Sequence, residues 1–229
     1  MQRNPQPATV HNSLILWEKW VLANTIAAIL GLNIIAVINP GGSILGNSFL
    51  GNLNMDGFLL LAGVLGGVIL GFAQWLALRR YIHNLIWWVL ATTVGVLLGW
   101  LILLVVSIVM AFAYAYGMNE MNPATLFKGV AYLGGVVGAV LGFAQWLVLK
   151  AYVRCDISQA AWWMVANALA WSLGLLIAFV GTGIKKIDAF ASHTALIELA
   201  TGATMGAVIG GITGIALVWL LQPRLRQHY

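Results

Sequence analysis

Charge is what this chain has least of. Only 7% of its 229 residues are Asp, Glu, Lys or Arg, while 62% are apolar. A soluble domain carries about 25% charged residues, so this chain cannot coat a water-facing surface. Disorder needs low hydrophobicity with high charge and is excluded by the same figures. The single cysteine, Cys155, excludes an internal disulfide and any multi-cysteine metal site. The four histidines, His11, His83, His193 and His228, lie near helix ends or in the termini, so no facing pair holds a haem in mid-membrane. There is no H-E-x-x-H, Asp-rich metal cluster, P-loop or Gly-x-Ser-x-Gly, which argues against an enzyme. Apart from Glu198 the apolar segments hold no carboxylate, which argues against a proton or sodium pump. The net charge of +5 brings no Lys/Arg cluster interleaved with aromatics, so nucleic acid is not an expected partner.

What is present is apolar length. A membrane-crossing helix needs about 20 apolar residues at 1.5 Å rise each. Six charge-free stretches reach it: Trp20–Ile38, Gly57–Leu78, Leu85–Met118, Gly129–Leu149, Ile157–Ile184 and Leu199–Pro223. None alternates with period two, so a β-barrel is not expected. The polar start, Met1 to Asn12, lacks a signal-peptide core and cleavage site, so the first apolar segment is read as retained. The sequence therefore predicts an all-α polytopic membrane protein with six spans in a single domain, residues 1–229.

Six spans put both termini on one side. Arg3, Lys19, Arg79, Arg80, Lys150, Arg154, Arg224 and Arg226 fall there, against Lys128, Lys185 and Lys186 opposite. That excess predicts a cytoplasmic terminal side. Trp17, Trp20, Trp75, Trp87, Trp88, Trp146, Trp162, Trp163 and Trp219 lie near the same side and read as a headgroup-level belt, with Trp100 and Trp171 deeper. On the opposite side the loop Asn39–Asp56 is the longest, and Asn122-Pro123 is a turn signal in the next.

The chain repeats itself. Odd-numbered spans share W-x3-[NT]-x6-G, with Trp20, Asn24 and Gly31 matching Trp88, Thr92 and Gly99, then Trp163, Asn167 and Gly174. Even-numbered spans carry glycine ladders: Gly63, Gly67 and Gly71; Gly134, Gly138 and Gly142; Gly202, Gly206 and Gly210. The first two ladders continue identically through Gln74-Trp75 and Gln145-Trp146, whereas the third has Thr213-Gly214. Units of about 13–80, 81–152 and 153–223 follow, and three parallel two-helix units predict a bundle with pseudo-threefold symmetry about the membrane normal. Glycines four apart bare one helix face for about 12 Å, so neighbouring backbones are expected to touch there.

Span direction places Asn24, Gln74, Thr92, Gln145, Asn167 and Thr213 at one depth in the inner leaflet. Amides in hydrocarbon need partners. Asn24 with Gln74, and Asn167 with Gln145 or Thr213, are the natural pairs. One reading is an interhelical hydrogen-bond belt fixing register. The other is a set of amides facing a cavity, ligating a neutral solute or the magnesium of a chlorophyll. Glu198 breaks the repeat, since Leu59 and Val130 stand at its equivalents. An intramembrane carboxylate is a functional candidate, but its place near Lys185, Lys186 and His193 predicts an ion-paired boundary residue. Asp56 and Asp188 read as ordinary outer-boundary charges.

Three tandem two-helix units resemble the architecture of mitochondrial carriers. Their Pro-x-[Asp/Glu]-x-x-[Lys/Arg] signature is missing where the odd spans end, at Asn39-Pro40, Met118-Asn119 and Ile184-Lys185, so no transport is carried over. The Gly-Phe-Ala-Gln-Trp-Leu-Val-Leu-Lys and Trp-Trp-x-x-Ala-Asn segments are similar to six-span bacterial membrane proteins, cyanobacterial ones especially, over most of the chain. That resemblance implies a bacterial inner or thylakoid-type membrane and no activity. The function expected from the whole is a non-enzymatic scaffold or accessory subunit among other membrane subunits, holding lipid, carotenoid or chlorophyll. The alternatives are a small transporter or channel for an uncharged solute, and a membrane enzyme using Glu198 and His193 as acid–base groups.

Overall fold

The computed structural model describes residues 7–38, 54–82, 86–116, 122–152, 157–185, 187 and 193–225. Six helices account for nearly all of them: α1 (Pro7–Ile38), α2 (Asn54–Leu78), α3 (Ile86–Ala115), α4 (Pro123–Tyr152), α5 (Ile157–Lys185) and α6 (Thr194–Leu225). All six are long and apolar enough to cross a membrane, so the chain is an integral membrane protein. Helix is the form that hydrocarbon enforces, because it satisfies every backbone group within the segment. The helices overrun the apolar stretches at several ends. Asn122 accepts the amide of Ala124 on its Oδ1 at 2.9 Å, and Pro123 follows at the first helical position. The expected turn at Asn122-Pro123 is thus an N-cap that starts α4. Residues 39–53 of the longest loop, together with Arg3, His83, Arg154, Cys155, Lys186, Asp188, Arg226 and His228, lie outside the described residues.

Each helix packs against its two neighbours in the chain, and α6 closes on α1. The result is an antiparallel ring of six. Its tightest contacts are not those inside the two-helix units of the sequence. They join α2 to α3, α4 to α5 and α6 to α1. The glycine ladders explain the preference, since each faces the following odd-numbered helix. A Cβ on Gly67 would lie 2.8 Å from Thr93 Cα, and one on Gly71 2.9 Å from Val89 Cα. Gly134 would meet Trp171 O at 2.5 Å, Gly138 the carbonyl of Asn167, and Gly142 Met164 Cα at 3.2 Å. Gly202, Gly206 and Gly210 would meet the Cα atoms of Ile29, Thr25 and Val21 at 2.8, 2.5 and 2.8 Å. Gly63 alone meets side chain without backbone, Trp100 Cδ1 at 2.7 Å. In these seams backbone lies on backbone, and dispersion at that range replaces the hydrophobic force that lipid cannot supply.

The looser seams use a different fit. Glycines of odd-numbered helices receive side chains of the next helix: Gly95 takes Leu141, Gly99 takes Val137 and Gly174 takes Ile209. Outward faces stay apolar. Leu22, Ile26 and Leu30 make one exposed stripe on α1, as Leu61, Leu65, Phe72 and Leu76 do on α2. Water would punish such a surface, but lipid tails match it.

The seams make a sharp contrast testable. Gly206→Ala should cost about 1–3 kcal/mol because backbone must move, and Gly138→Leu should separate α4 from α5 outright. Gly66→Ala should leave stability unchanged or raise it, because nothing lies within 4 Å of the added carbon. Thermal unfolding in detergent reads the difference, and equal losses at Gly66 and Gly206 would reject the backbone-contact seam.

Candidate functional site

The ladders set register, and register sets the site. In each tight seam the last ladder glycine, Gly71, Gly142 or Gly210, meets the residue after a tryptophan: Val89, Met164 or Val21. Three residues beyond each glycine stand Gln74, Gln145 and Thr213, level with Trp88, Trp163 and Trp20. These tryptophans are not a headgroup belt. Trp20, Trp88 and Trp163 are 0% exposed and meet one another inside the ring, with centroid separations of 6.0, 6.2 and 6.4 Å and planes crossed by 60–70°. The expectation of interfacial indoles fails for them because the W-x3-[NT] face of each odd helix points inward. Six helices in a ring leave a central hole, and three indoles in edge-to-face contact fill it. Trp87 and Trp162, one position earlier, do face outward and are 60% and 62% exposed.

Directly above the indoles lie all six recurrent polar residues, each at most 3% exposed. Gln74 is the hub. Its Nε2 donates to Asn24 Oδ1 at 3.0 Å, and its Oε1 accepts from Trp88 Nε1 at 3.0 Å and from Gln145 Nε2 at 3.1 Å. Gln145 Nε2 also donates to Thr92 Oγ1 at 3.1 Å, and Trp20 Nε1 donates to Thr213 Oγ1 at 2.8 Å. The expected pair Asn24–Gln74 is present. The pair of Asn167 with Gln145 or Thr213 is not: Asn167 Nδ2 donates to Trp163 O at 3.0 Å in its own helix. Gln145 reaches inward to the hub instead, because Gln74 Oε1 has a second lone pair to offer.

On the far side of the belt from the indoles, the ring surrounds a partly open cavity of about 160 Å³. Every helix lines it, for example through Ala28, Gly66, Gly99, Val137, Ala178 and Met205. It begins at Asn24 and rises to Leu32, about 12 Å along α1. Its wall is apolar apart from the Asn24 amide and the two deeper tryptophans, Trp100 and Trp171. A ligand in the cavity meets the belt only at Asn24, whose Oδ1 already accepts one bond from Gln74. No group of three His, Cys, Asp or Glu that could hold an ion occurs among the described residues.

Charge stays at the ends. Glu198 Oε1 pairs with Lys185 Nζ at 2.8 Å across α5 and α6, as its boundary position predicts. Arg79 and Lys150 lie over the rings of Trp75 and Trp146 at 5.7 and 5.4 Å. In the connection after α2, burial pushes the Tyr81 hydroxyl above its ordinary pKa, and Arg80 acts in the opposite sense.

Sequence reasoning offered a cavity faced by the belt amides but missed its apolar lining beyond the belt, and it missed the inward indoles. The signal for the cavity was the run of small residues on inner faces, Ala27, Ala28 and Gly31 on α1 with Ala62 and Gly66 on α2. The hub geometry predicts a ranking. Gln74→Leu strands the Trp88 N–H and removes partners from Asn24 and Gln145, each stranded group costing about 1–3 kcal/mol. Thr213→Val strands the Trp20 N–H alone and should destabilise less. Denaturant titration in detergent checks the order, and the reverse order would show that Gln74 is no hub. Comparison with protein-family models, with curated proteins and with solved structures finds no match to this chain.

Proposed function

We propose that this chain is a non-enzymatic membrane protein that holds the hydrocarbon chain of a lipid or pigment in its central cavity, as an accessory subunit of a larger complex. The single observation that carries the reading is the apolar cavity ending at the buried belt and the indole cluster. An apolar pocket with one polar group at its base suits a hydrocarbon chain. It does not suit a polar solute, and the filled centre below it favours retention over passage. The exposed Trp87 and Trp162 at matching helix starts support a contact surface toward other subunits. The excess of Lys and Arg supports cytoplasmic termini, and the membrane we propose is a bacterial inner or thylakoid-type one. Seams that recur from unit to unit support a pseudo-threefold arrangement around the cavity.

Cavity filling tests this. Gly31 and Gly66 both line the space, and a Cβ at either meets nothing within 4 Å. Protein purified in mild detergent should carry a chain-bearing lipid or pigment visible by mass spectrometry or absorption. The double variant Gly31→Leu/Gly66→Leu should lose that molecule while keeping its unfolding midpoint. A colourless, partner-free protein that admits solute into liposomes would reject the reading and favour a transporter.

A further inference from the structure

The three tight seams are in one register, yet they end differently at the belt. Gly71 on Val89 places Gln74 beside Trp88, and the indole donates to Gln74 Oε1 at 3.0 Å. Gly210 on Val21 places Thr213 beside Trp20, and that indole donates to Thr213 Oγ1 at 2.8 Å. Gly142 on Met164 places Gln145 beside Trp163 in the same way. Here no hydrogen bond closes. Trp163 Nε1 and Gln145 Oε1 are both buried without a partner among the described residues. The side chains are 0% and 1% exposed, so bulk water does not reach them.

The cause is the pull on Gln145. Its Nε2 spans Gln74 Oε1 and Thr92 Oγ1, both at 3.1 Å, and this fixes the amide where its Oε1 makes no hydrogen bond to the indole. A buried donor and a buried acceptor are left unpartnered on two residues that the shared register of the seams sets side by side. A buried polar group without a partner costs about 1–3 kcal/mol, and native interiors meet that need with an enclosed water making two to four hydrogen bonds. An amide flip does not help, since it would aim Nε2 at an indole N–H and Oε1 at Gln74 Oε1.

We propose that Gln145 Oε1 and Trp163 Nε1 hold one structural water molecule between α4 and α5, accepting from the indole and donating to the amide. At the level of the belt this seam is closed by a water where the other two are closed directly; the Trp146 Nε1 on α4, also buried without a partner among the described residues, is a separate donor. The site is independent of whatever the cavity holds, because neither residue lines that cavity.

The test uses whole protein in detergent micelles, labelled with ¹⁵N-tryptophan. The indole signals of Trp20, Trp88 and Trp163 are identified by replacing each in turn with phenylalanine. Direct dipolar cross-relaxation with water should appear at the Trp163 N–H and be lost in Gln145→Met. It should be absent at the Trp88 N–H. Trp20, whose partner is itself a hydroxyl, controls for relay through exchange. Absence of the cross-peak at Trp163, or equal cross-peaks at Trp20 and Trp163, would overturn the proposal. Should Gln145→Met fail to fold, the comparison of the three indoles in the unsubstituted protein decides alone.

Discussion

Contact of backbone with backbone, along three seams of bare glycine, is the constraint from which the other features follow. In lipid, two helices gain little by hiding apolar surface from a solvent that is itself apolar. They gain by approaching until main-chain atoms touch, and only a face without Cβ atoms permits it. Gly67 on Thr93, Gly138 on Asn167 and Gly206 on Thr25 are that contact in three places. Such a seam admits one register, because a slip would drive the next Cβ into main chain. Fixed register then brings every tryptophan of the W-x3-[NT] pattern to the level of the glutamine or threonine opposite.

A ring also creates a central hole that must be filled or left open, and this chain does both at different depths. On the side of the chain ends, Trp20, Trp88 and Trp163 close the hole with rings in edge contact, and their N–H groups need acceptors. The amide belt answers that need. On the other side α1 and α2 present alanine and glycine, among them Ala27, Ala28, Gly31, Ala62 and Gly66, to the larger apolar side chains of the other helices, and a cavity remains. The belt is therefore at once the cap over the indoles and the floor of the cavity, and within it Gln145 bonds from α4 to Gln74 on α2.

The third unit shows how the repeat can depart from itself without losing the fold. Phe72 and Trp75 stack at 5.5 Å, and Phe143 and Trp146 pair at 5.8 Å. Their counterparts on α6 are Gly211 and Gly214. The space goes to Trp17 of α1, whose Nε1 donates to Gly211 O at 3.1 Å and whose Cδ1 would lie 2.9 Å from a Gly214 Cβ. An indole supplied by the partner helix thus replaces the one α6 lacks. This substitution sits where the ends of the chain meet, in the seam that closes the ring.

The sequence by itself determined six spans, the glycine-bared faces, the common depth of the six polar residues and the boundary role of Glu198. Each follows from counting along one helix: length against bilayer thickness, spacing of four against a turn of 3.6, distance from a terminal charge. Only the tertiary structure decided which neighbour covers a bared face. A ladder such as Gly134, Gly138 and Gly142 fits a preceding helix as well as a following one, and periodicity does not distinguish them. That choice sent Trp20, Trp88 and Trp163 inward rather than to the headgroups. It drew Gln145 to Gln74 rather than to Asn167, and it left an apolar cavity where the small-residue faces of α1 and α2 meet the inner faces of the other four helices. One helix carries the record of its own faces, whereas the space between six of them exists only once they are assembled.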